Sequence, residues 1–278
     1  PEKIIPGGSV ANSVYAMAQF TDNVCFSGKV SDDESGKNFI DCLNESGVDA
    51  HVSKISDQRS GECLVLITPD NERTMNTFLG SSSLLSENDI SKESIKNSDY
   101  LLIEGYLVTS DATLNVGVSA INIAHENNTK TVITLSDPNI VSYFRDNMMK
   151  LFNKKSHIIF CNEQEALNFS QADNLKNAEA FLKELTDMYV ITLGSKGAIC
   201  FDGSNDHKIT GHQVESKDFT GAGDMFLGAF MHKYADTNIL ESMKFANYCA
   251  SKIIQIYGAK FNNSNDYQEL QTNFKSLT

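Results

Sequence analysis

Short apolar runs and longer amphipathic stretches alternate through the central part of the chain. The apolar runs are rich in residues that favour strands, and they cover 101 to 103, 131 to 135, 157 to 161 and 189 to 193. The stretches between them carry apolar residues at helical spacing, as over 111 to 126, 140 to 153 and 174 to 186. The strands are apolar at consecutive positions, which is typical of burial on both faces. This alternation predicts an α/β fold whose mostly parallel central sheet is flanked by helices on both faces.

The first third of the chain predicts a helix followed by a β ribbon. Asp33 and Glu34 favour a helix start and Gly47 favours its end, so we expect a helix over about 33 to 46. Further on, 61 to 68 and 73 to 79 are strand-like, and Thr68-Pro69-Asp70-Asn71-Glu72 between them has the composition of a hairpin turn. Such a ribbon is either a lid or an ordinary edge hairpin. We expect one domain over 1–278, with a small β lid at about 50–80.

Composition and charge narrow the classes of partner. The chain has 278 residues, of which 41% are hydrophobic, and its 23 basic and 36 acidic residues give a net charge of −13 without a basic block. This balance argues against nucleic acid and membrane surfaces as partners. No run approaches the roughly 18 apolar residues of a membrane span, and no signal peptide opens the chain. The six cysteines form no Cys-x-x-Cys pair, which favours reduced core thiols in a cytoplasmic protein, although disulfides stay formally open.

The strongest candidate for chemistry is the segment Asp218-Phe219-Thr220-Gly221-Ala222-Gly223-Asp224, which an apolar helix follows. The free N–H groups and the dipole of a helix start attract anions, and glycines let a ligand approach the backbone closely. Asp224 adds a carboxylate that could deprotonate a hydroxyl. Such a junction suits phosphoryl transfer, but a capped helix start without chemistry has the same composition.

Five motifs in order resemble those of the ribokinase-like (PfkB) carbohydrate and nucleoside kinases. They are Gly7-Gly8-Ser9-Val10-Ala11-Asn12, the segment 28 to 36 with Ser31 in place of a usual glycine, Asn162-Glu163-Gln164-Glu165, Thr192-Leu193-Gly194-Ser195-Lys196-Gly197, and 218 to 224. The patterns Gly-x4-Gly-Lys-Ser/Thr and Gly-x-Gly-x-x-Gly are absent, so P-loop and dinucleotide-binding folds are not supported. The resemblance covers essentially the whole chain and implies a ribokinase-like fold.

The resemblance implies that Gly7, Gly8, Ser9, Asn12 and Glu104 bind the acceptor. The two glycines permit close backbone approach, and the Asn12 amide offers a donor and an acceptor to hydroxyls. A glycine turn with Ser9 capping a helix over 10 to 19 is the alternative. For Glu104, at the end of a strand, the alternative is a solvated carboxylate.

Nucleotide binding is implied for Asn162, Thr192, Gly194, Gly197 and Asn247. The turn after a buried strand places small groups at the carboxyl edge of the sheet, where α/β proteins bind ligands, although a plain β-turn would look the same. Asn247, on a helix predicted over 239 to 257, has a polar surface position as its alternative.

Cation binding is implied for Glu165 and for the Gly258-Ala259 pair. Glu165 supplies a hard oxygen that suits Mg²⁺, in an indirect contact through water. Its alternative is a solvated carboxylate in the first turn of a helix. The Gly258-Ala259 pair resembles a loop for a monovalent cation such as K⁺. His207 and His212 are expected on opposite faces of a strand, so we predict no zinc site.

The implied reaction is transfer of the γ-phosphate of ATP, with Mg²⁺, to a primary alcohol. Asp224 is the implied general base, and the backbone N–H groups of Gly221, Ala222 and Gly223 form the implied anion hole. Ser9 and the segment 73 to 80 are similar to the adenosine kinase branch, so adenosine is the first choice of acceptor. A sugar such as ribose or fructose is the alternative, and a catalytically silent sugar-binding regulator is a further one. We expect a small-molecule substrate and a monomer or homodimer.

One departure from the family concerns the start of the chain. The family places a further strand with an acceptor-binding Asp, and lid strands, before the Gly-Gly motif, which starts here at residue 7. We expect either that such a leader lies outside this sequence or that the chain is shortened and lacks that ligand.

Overall fold

The structure is a computed structural model that describes residues 5–21, 23–68 and 73–276. Its strands are β1 (Cys25–Ser31), β2 (Asp49–Ile55), β3 (Glu62–Ile67), β4 (Arg73–Phe78), β5 (Tyr100–Glu104), β6 (Lys130–Thr134), β7 (Ser156–Asn162), β8 (Thr186–Thr192), β9 (Ala198–Phe201) and β10 (Asp206–Ile209). Its α-helices are α1 (Ser9–Ala18), α2 (Glu34–Glu45), α3 (Lys92–Asn97), α4 (Asp111–Glu126), α5 (Pro138–Tyr143), α6 (Arg145–Lys150), α7 (Glu163–Ser170), α8 (Leu175–Leu185), α9 (Ala222–Tyr234), α10 (Ile239–Ile253) and α11 (Ser264–Lys275). Short 3₁₀ helices cover Gly80–Leu84, Glu87–Asp89, Gly105–Thr109 and Gly194–Lys196.

The chain divides into two compact units. One combines Pro1–Leu84 with His212–Thr278, and the other is Leu85–Gly211. We call them the discontinuous unit and the sheet unit.

The sheet unit contains a six-stranded sheet in the order β10-β9-β8-β7-β6-β5. Strands β5 to β8 pair in parallel, and β9 and β10 are antiparallel. Consecutive residues Ile158 and Ile159 are both buried, as are Val190 and Ile191, because helices flank the sheet. The predicted α/β fold with a mostly parallel sheet is therefore confirmed.

The predicted helices of the sheet unit are largely as expected. α4 has the bounds predicted for it, and α8 lies within one residue of its prediction at each end. The stretch 140 to 153 was predicted as one helix, but it forms two short helices. Asp137 accepts hydrogen bonds from the N–H groups of Asn139 and Ile140, so α5 starts earlier, and Phe144 leaves helical geometry at φ −119° and ψ 28°.

The discontinuous unit contains two small sheets. β1 and β2 pair in parallel, while β3 and β4 form an antiparallel hairpin from Glu62↔Phe78 to Ile67↔Arg73. The predicted ribbon is thus confirmed, and the turn 69 to 72 lies outside the described residues. The hairpin leaves apolar side chains on both of its faces in solvent, among them Leu64, Leu66, Met75 and Phe78.

Helices α1 and α9 pack closely in the discontinuous unit. A Cβ on Gly228 of α9 would lie 2.4 Å from the carbonyl oxygen of Ser13 on α1, so only glycine fits there. α9 is apolar and buried from Met225 to Met231 because it is covered by α1 and α10. This packing places the first turns of α1 and α9 together.

The predicted α2 is confirmed, and Asp33 fixes its start. The Asp33 carboxylate accepts from the N–H of Gly36 at 2.8 Å and from the hydroxyl of Ser60 at 2.6 Å. These bonds lower the pKa of Asp33, with the Ser60 hydroxyl as the main cause.

All six cysteines are free thiols. Cys161, Cys200 and Cys249 are buried as predicted, but Cys63 is exposed because it lies on the open hairpin. In the part of the chain that the structure describes, no helix combines the length and apolar content that crossing a membrane requires.

Candidate active site

The start of α9 brings a carboxylate and backbone amides together, as the sequence predicted. α9 begins at Ala222, directly after Gly221, and Asp224 lies in its first turn. Gly221 has φ 77°, and a Cβ there would lie 2.4 Å from the Cβ of Ala259. Glycine is therefore required at this position for both backbone conformation and space.

The three predicted anion-hole amides differ in their bonding. The N–H of Ala222 donates to the carbonyl oxygen of Phe219 at 3.2 Å. The N–H groups of Gly221 and Gly223 have no partner within the residues that the structure describes. A Cβ on Gly223 would meet nothing within 4 Å, so the space beside this amide is open.

Asp224 accepts two hydrogen bonds from α1. The Ser9 hydroxyl donates to Oδ1 at 3.0 Å, and the Asn12 amide donates to Oδ2 at 2.9 Å. Both donors favour an ionised carboxylate with a fixed orientation. Sequence reasoning assigned all three residues to the site but did not predict these contacts.

The structure shows how α1 begins. Gly8 precedes the helix with φ 97°, and Ser9 is its first residue, so the interpretation of Ser9 as the cap of this helix is wrong. Asn12 is 8% exposed, and its Oδ1 is buried without a hydrogen-bond partner in the described residues. A Cβ on Gly7 would meet nothing within 4 Å. Packing therefore explains neither Gly7 nor the orphaned Asn12 oxygen.

Asp218 stabilises the loop that precedes α9 by accepting hydrogen bonds, a role that sequence reasoning missed. Asp218 is 2% exposed and accepts from the N–H of Thr220 at 2.8 Å and from its hydroxyl at 2.6 Å. Its second oxygen accepts from the N–H of Gly258 at 2.8 Å. The position of Asp218 at the start of the glycine motif was the available signal.

In the sheet unit, Asn162 and Glu165 bind each other at the end of β7. The side chain of Asn162 accepts from the N–H of Glu165 at 2.8 Å, and the carboxylate of Glu165 accepts from the N–H and the side-chain amide of Asn162 at 3.0 and 2.7 Å. Glu165 is 5% exposed, so its interpretation as a solvated carboxylate is wrong. Burial, and then Glu165, raises the pKa of the neighbouring Cys161 thiol, which excludes an easily formed thiolate there.

The two segments of the sheet unit that were predicted to bind nucleotide lie at one edge of the sheet. Asn162 and Thr192 are direct partners across the parallel strands β7 and β8. The turn after Thr192 has φ 58° at Gly194 and 101° at Gly197, and a Cβ on Gly197 would lie 2.1 Å from the carbonyl oxygen of Ile209. Lys196 in this turn pairs with Glu163 at 3.3 Å.

Glu104 and Asn247 are both partly buried, in different units. Glu104 ends β5, whose carboxyl end lies at the same edge of the sheet as those of β7 and β8. Asn247 lies on α10 and is partly exposed. The helix around Asn247 ends at Ile253, four residues before its predicted end.

The described residues contain no group of three or more His, Cys, Asp and Glu side chains that could hold a metal ion. His207 lies on β10 and contacts Asp202 at 2.6 Å, whereas His212 lies beyond the end of that strand. Their predicted placement on one strand is therefore wrong. Mg²⁺ in nucleotide-dependent enzymes uses few protein carboxylates together with phosphates and water, and the buried Glu165 fits that requirement.

Each unit has a feature that is typical of α/β phosphotransferases. The sheet unit has glycine turns at the carboxyl edge of parallel strands, and the discontinuous unit has a carboxylate at an amide-rich helix start. Residues 3–266 match the sequence pattern of the pfkB family carbohydrate kinases, and the chain belongs to that family. It is an ATP-dependent carbohydrate or nucleoside kinase by enzyme class, and members of this family use ATP with Mg²⁺.

The chain is similar to both sugar and nucleoside kinases. It is 25% identical to a ribokinase of Dictyostelium discoideum over 279 residues, which cover 93% of this chain and 86% of the relative. It is 24% identical to fructokinase-1 of Zea mays over 88% of this chain and 81% of the relative. The solved adenosine kinase of Sinorhizobium meliloti is 26% identical, with a TM-score of 0.91 over 98% of this chain and 83% of that one.

Proposed function

We propose that this kinase transfers the γ-phosphate of ATP to a primary alcohol of a nucleoside or sugar, with Asp224 as general base. The observation that carries the proposal is the position of the Asp224 carboxylate, which lies at a helix start and is held by Ser9 and Asn12. A carboxylate has about four lone-pair sites, so both hydrogen bonds leave room for a substrate proton.

The proposed step forms one P–O bond and breaks another. The acceptor hydroxyl gives its proton to Asp224 while its oxygen attacks the γ-phosphorus, and the bond from that phosphorus to the bridging oxygen of ADP breaks. The N–H groups of Gly221 and Gly223 are available to donate to the transferring group, and Ala222 joins them by exchanging its bond to Phe219. Base catalysis of this kind contributes about 10² to 10⁴ in rate.

In the sheet unit, we assign nucleotide binding to Asn162, Thr192, Gly194 and Gly197, which share one sheet edge. In the discontinuous unit, Asn247 on α10 is a candidate for adenine binding. Glu165 would hold Mg²⁺ through water, and the metal would neutralise charge on the phosphates when bound. A monovalent cation such as K⁺ beside Gly258-Ala259 is part of the same proposal.

Adenosine is our first choice of acceptor. The orphaned Oδ1 of Asn12 is a buried acceptor that needs a donor, and a substrate hydroxyl supplies one. Ser9 is uncharged, which suits a neutral acceptor. We infer that the hairpin acts as a lid of a single domain. Its exposed apolar side chains, which include Leu64, Leu66 and Phe78, would then suit a purine. The similarity to ribokinases and fructokinases supports the alternative, a free sugar.

A substrate panel tests this proposal. The chain would be supplied with ATP and Mg²⁺ and with adenosine, other nucleosides, ribose or fructose, and formation of ADP and of the phosphorylated product would be measured. Turnover highest with adenosine supports the first choice, and turnover only with a sugar reverses the ranking. Tight binding of an acceptor without any ADP formation would contradict a kinase and favour a silent regulator. Mass measurement in solution would separate monomer from homodimer.

A further inference from the structure

Lys260 is a buried cation in the discontinuous unit, directly after the Gly258-Ala259 pair. It is 6% exposed, and its ammonium donates to the backbone carbonyl oxygen of Pro6 at 2.8 Å. It also lies 3.8 Å from the Sγ of Cys42 and 4.5 Å from the ring centre of Tyr15. Burial of a charged ammonium is costly, so its placement requires compensation by such contacts.

The segment that carries Lys260 also supports the start of α9. The N–H of Gly258 donates to the carboxylate of Asp218, and the side chain of Ala259 occupies the space that a Cβ on Gly221 would need. One short stretch of chain therefore contacts the loop that leads to Asp224.

The hydrogen bond from Lys260 ends at Pro6, at the start of the predicted acceptor motif. Pro6 immediately precedes Gly7-Gly8-Ser9, and Ser9 binds Asp224 from the first position of α1. A Cβ on Gly7 would meet nothing within 4 Å, and two residues earlier the side chain of Ile5 lies beside Gly258. The hydrogen bond from Lys260 to Pro6 fixes the backbone just before Gly7.

The titratable groups near Lys260 differ in whether they carry a negative charge at neutral pH. The titratable groups that act on Lys260 come from three elements, Cys42 of α2, Tyr15 of α1 and Asp224 of α9. Burial lowers the pKa of Lys260, and Cys42 and then Asp224 act in the opposite direction. Burial raises the pKa of Tyr15, so this phenol adds no negative charge at neutral pH. Asp224 is the one carboxylate among these groups.

We propose that Lys260 is a positioning residue for phosphoryl transfer, which holds the entry to α1, and with it Ser9, against Asp224 and adds a positive charge to the surroundings of this carboxylate. This inference rests on the proposed function, because Lys260 is assigned the role of positioning Asp224, the proposed base. Lys260 acts through Pro6, Ser9 and Asp224 and touches no reacting atom.

The test compares Lys260→Met with the wild-type chain and with Lys176→Met, an exposed lysine on α8. We expect Lys260→Met to lower kcat at least tenfold while the KM for ATP changes less than twofold. The acidic limb of the kcat/KM profile should move to higher pH, because the carboxylate loses a neighbouring positive charge. Lys176→Met should match the wild type in all three measurements.

Two further variants separate charge from packing if Lys260→Met fails to fold. Lys260→Arg keeps the charge and should keep the wild-type acidic limb, whereas Lys260→Gln keeps only a donor and should shift it. The inference would be overturned if the acidic limbs of the kcat/KM profiles were identical for these two variants, or if Lys260→Met had the kcat and the pH profile of the wild type. Either result would leave the proposed function standing. A folded wild-type chain without turnover of any alcohol would overturn both.

Discussion

Ser9 and Asp224 lie 215 positions apart in the chain, and the hydroxyl of Ser9 donates to the Oδ1 of Asp224 at 3.0 Å. The residue that sequence resemblance assigns to the acceptor therefore also orients the proposed base. Asn12 does the same for the other carboxylate oxygen at 2.9 Å. A change in the acceptor motif should consequently alter catalysis as well as binding, which several substitutions can test.

Asp224→Asn should fold normally and lose about 10² to 10⁴ in kcat, because the amide cannot accept a proton from the acceptor. Steady-state ADP formation and a thermal unfolding curve would measure the two effects. Asp111→Asn is the matched control, since Asp111 is also an acidic residue in the first turn of a helix, α4. An Asp224→Asn enzyme with near-normal turnover would remove Asp224 from the mechanism.

Asn12→Ala should reduce kcat/KM for the acceptor by about 10- to 100-fold, the equivalent of one hydrogen bond to a charged group, roughly 1.5–3 kcal/mol. The substitution removes the donor to Asp224 and the orphaned Oδ1 together. The KM for ATP should stay close to the wild-type value. Asn127→Ala, at the end of α4, provides a control outside the site. An equal loss for both variants would contradict the assignment of Asn12.

Gly221 and Gly223 should respond differently to alanine. Gly221→Ala must accommodate φ 77° and a Cβ 2.4 Å from that of Ala259, so we expect a loss of about 1–3 kcal/mol in the free energy of unfolding. Gly223→Ala meets open space and should keep its stability but lose turnover, because a methyl group would occupy the proposed phosphoryl site. Urea unfolding and kinase assays on both variants make the comparison. Normal turnover of Gly223→Ala would argue against an anion hole there.

Glu165→Gln should raise the Mg²⁺ concentration needed for half-maximal activity, since the amide is a poorer ligand for a hard cation. Glutamine retains the shape of the side chain and one acceptor for Asn162, but its NH₂ group faces the other Asn162 donor, so we expect a loss of about 1–3 kcal/mol in the free energy of unfolding. Glu163→Gln is the control in the same helical turn, and it removes only the pair with Lys196. Identical Mg²⁺ titrations for the two variants would exclude Glu165 from metal binding.

Stability should fall as the pH is lowered below about 6.5, the ordinary pKa of histidine. Burial lowers the pKa of His125, His157 and His232, so the unfolded chain binds protons more readily than the folded chain in this range. The free energy of urea unfolding at pH 8, 6 and 5 would measure the slope. His232→Phe preserves an aromatic ring against Phe20 and should reduce the dependence of the unfolding free energy on pH. A stability that rises on acidification would contradict this account.

Local features of the sequence were sufficient for many elements of the fold. Consecutive apolar residues predicted the buried strands around Ile159 and Val190 because a parallel sheet covered by helices excludes polar side chains from both faces. Asp33 and Gly47 predicted the limits of α2, since capping is decided by residues a few positions apart. The carboxylate at a glycine-rich helix start was predicted for the same reason, and the family resemblance added the expected roles of the other motifs.

Contacts between distant segments were decided only by the tertiary structure. Nothing near Ser9 in the chain indicates that its hydroxyl binds Asp224, or that Lys260 reaches Pro6 across 254 positions. The burial of Glu165 and the bond of Asp218 to Gly258 likewise depend on how helices and loops pack. A sequence pattern specifies each segment through short-range sterics and hydrogen bonding, whereas the partners of a polar side chain depend on which surfaces are brought together when apolar faces are buried.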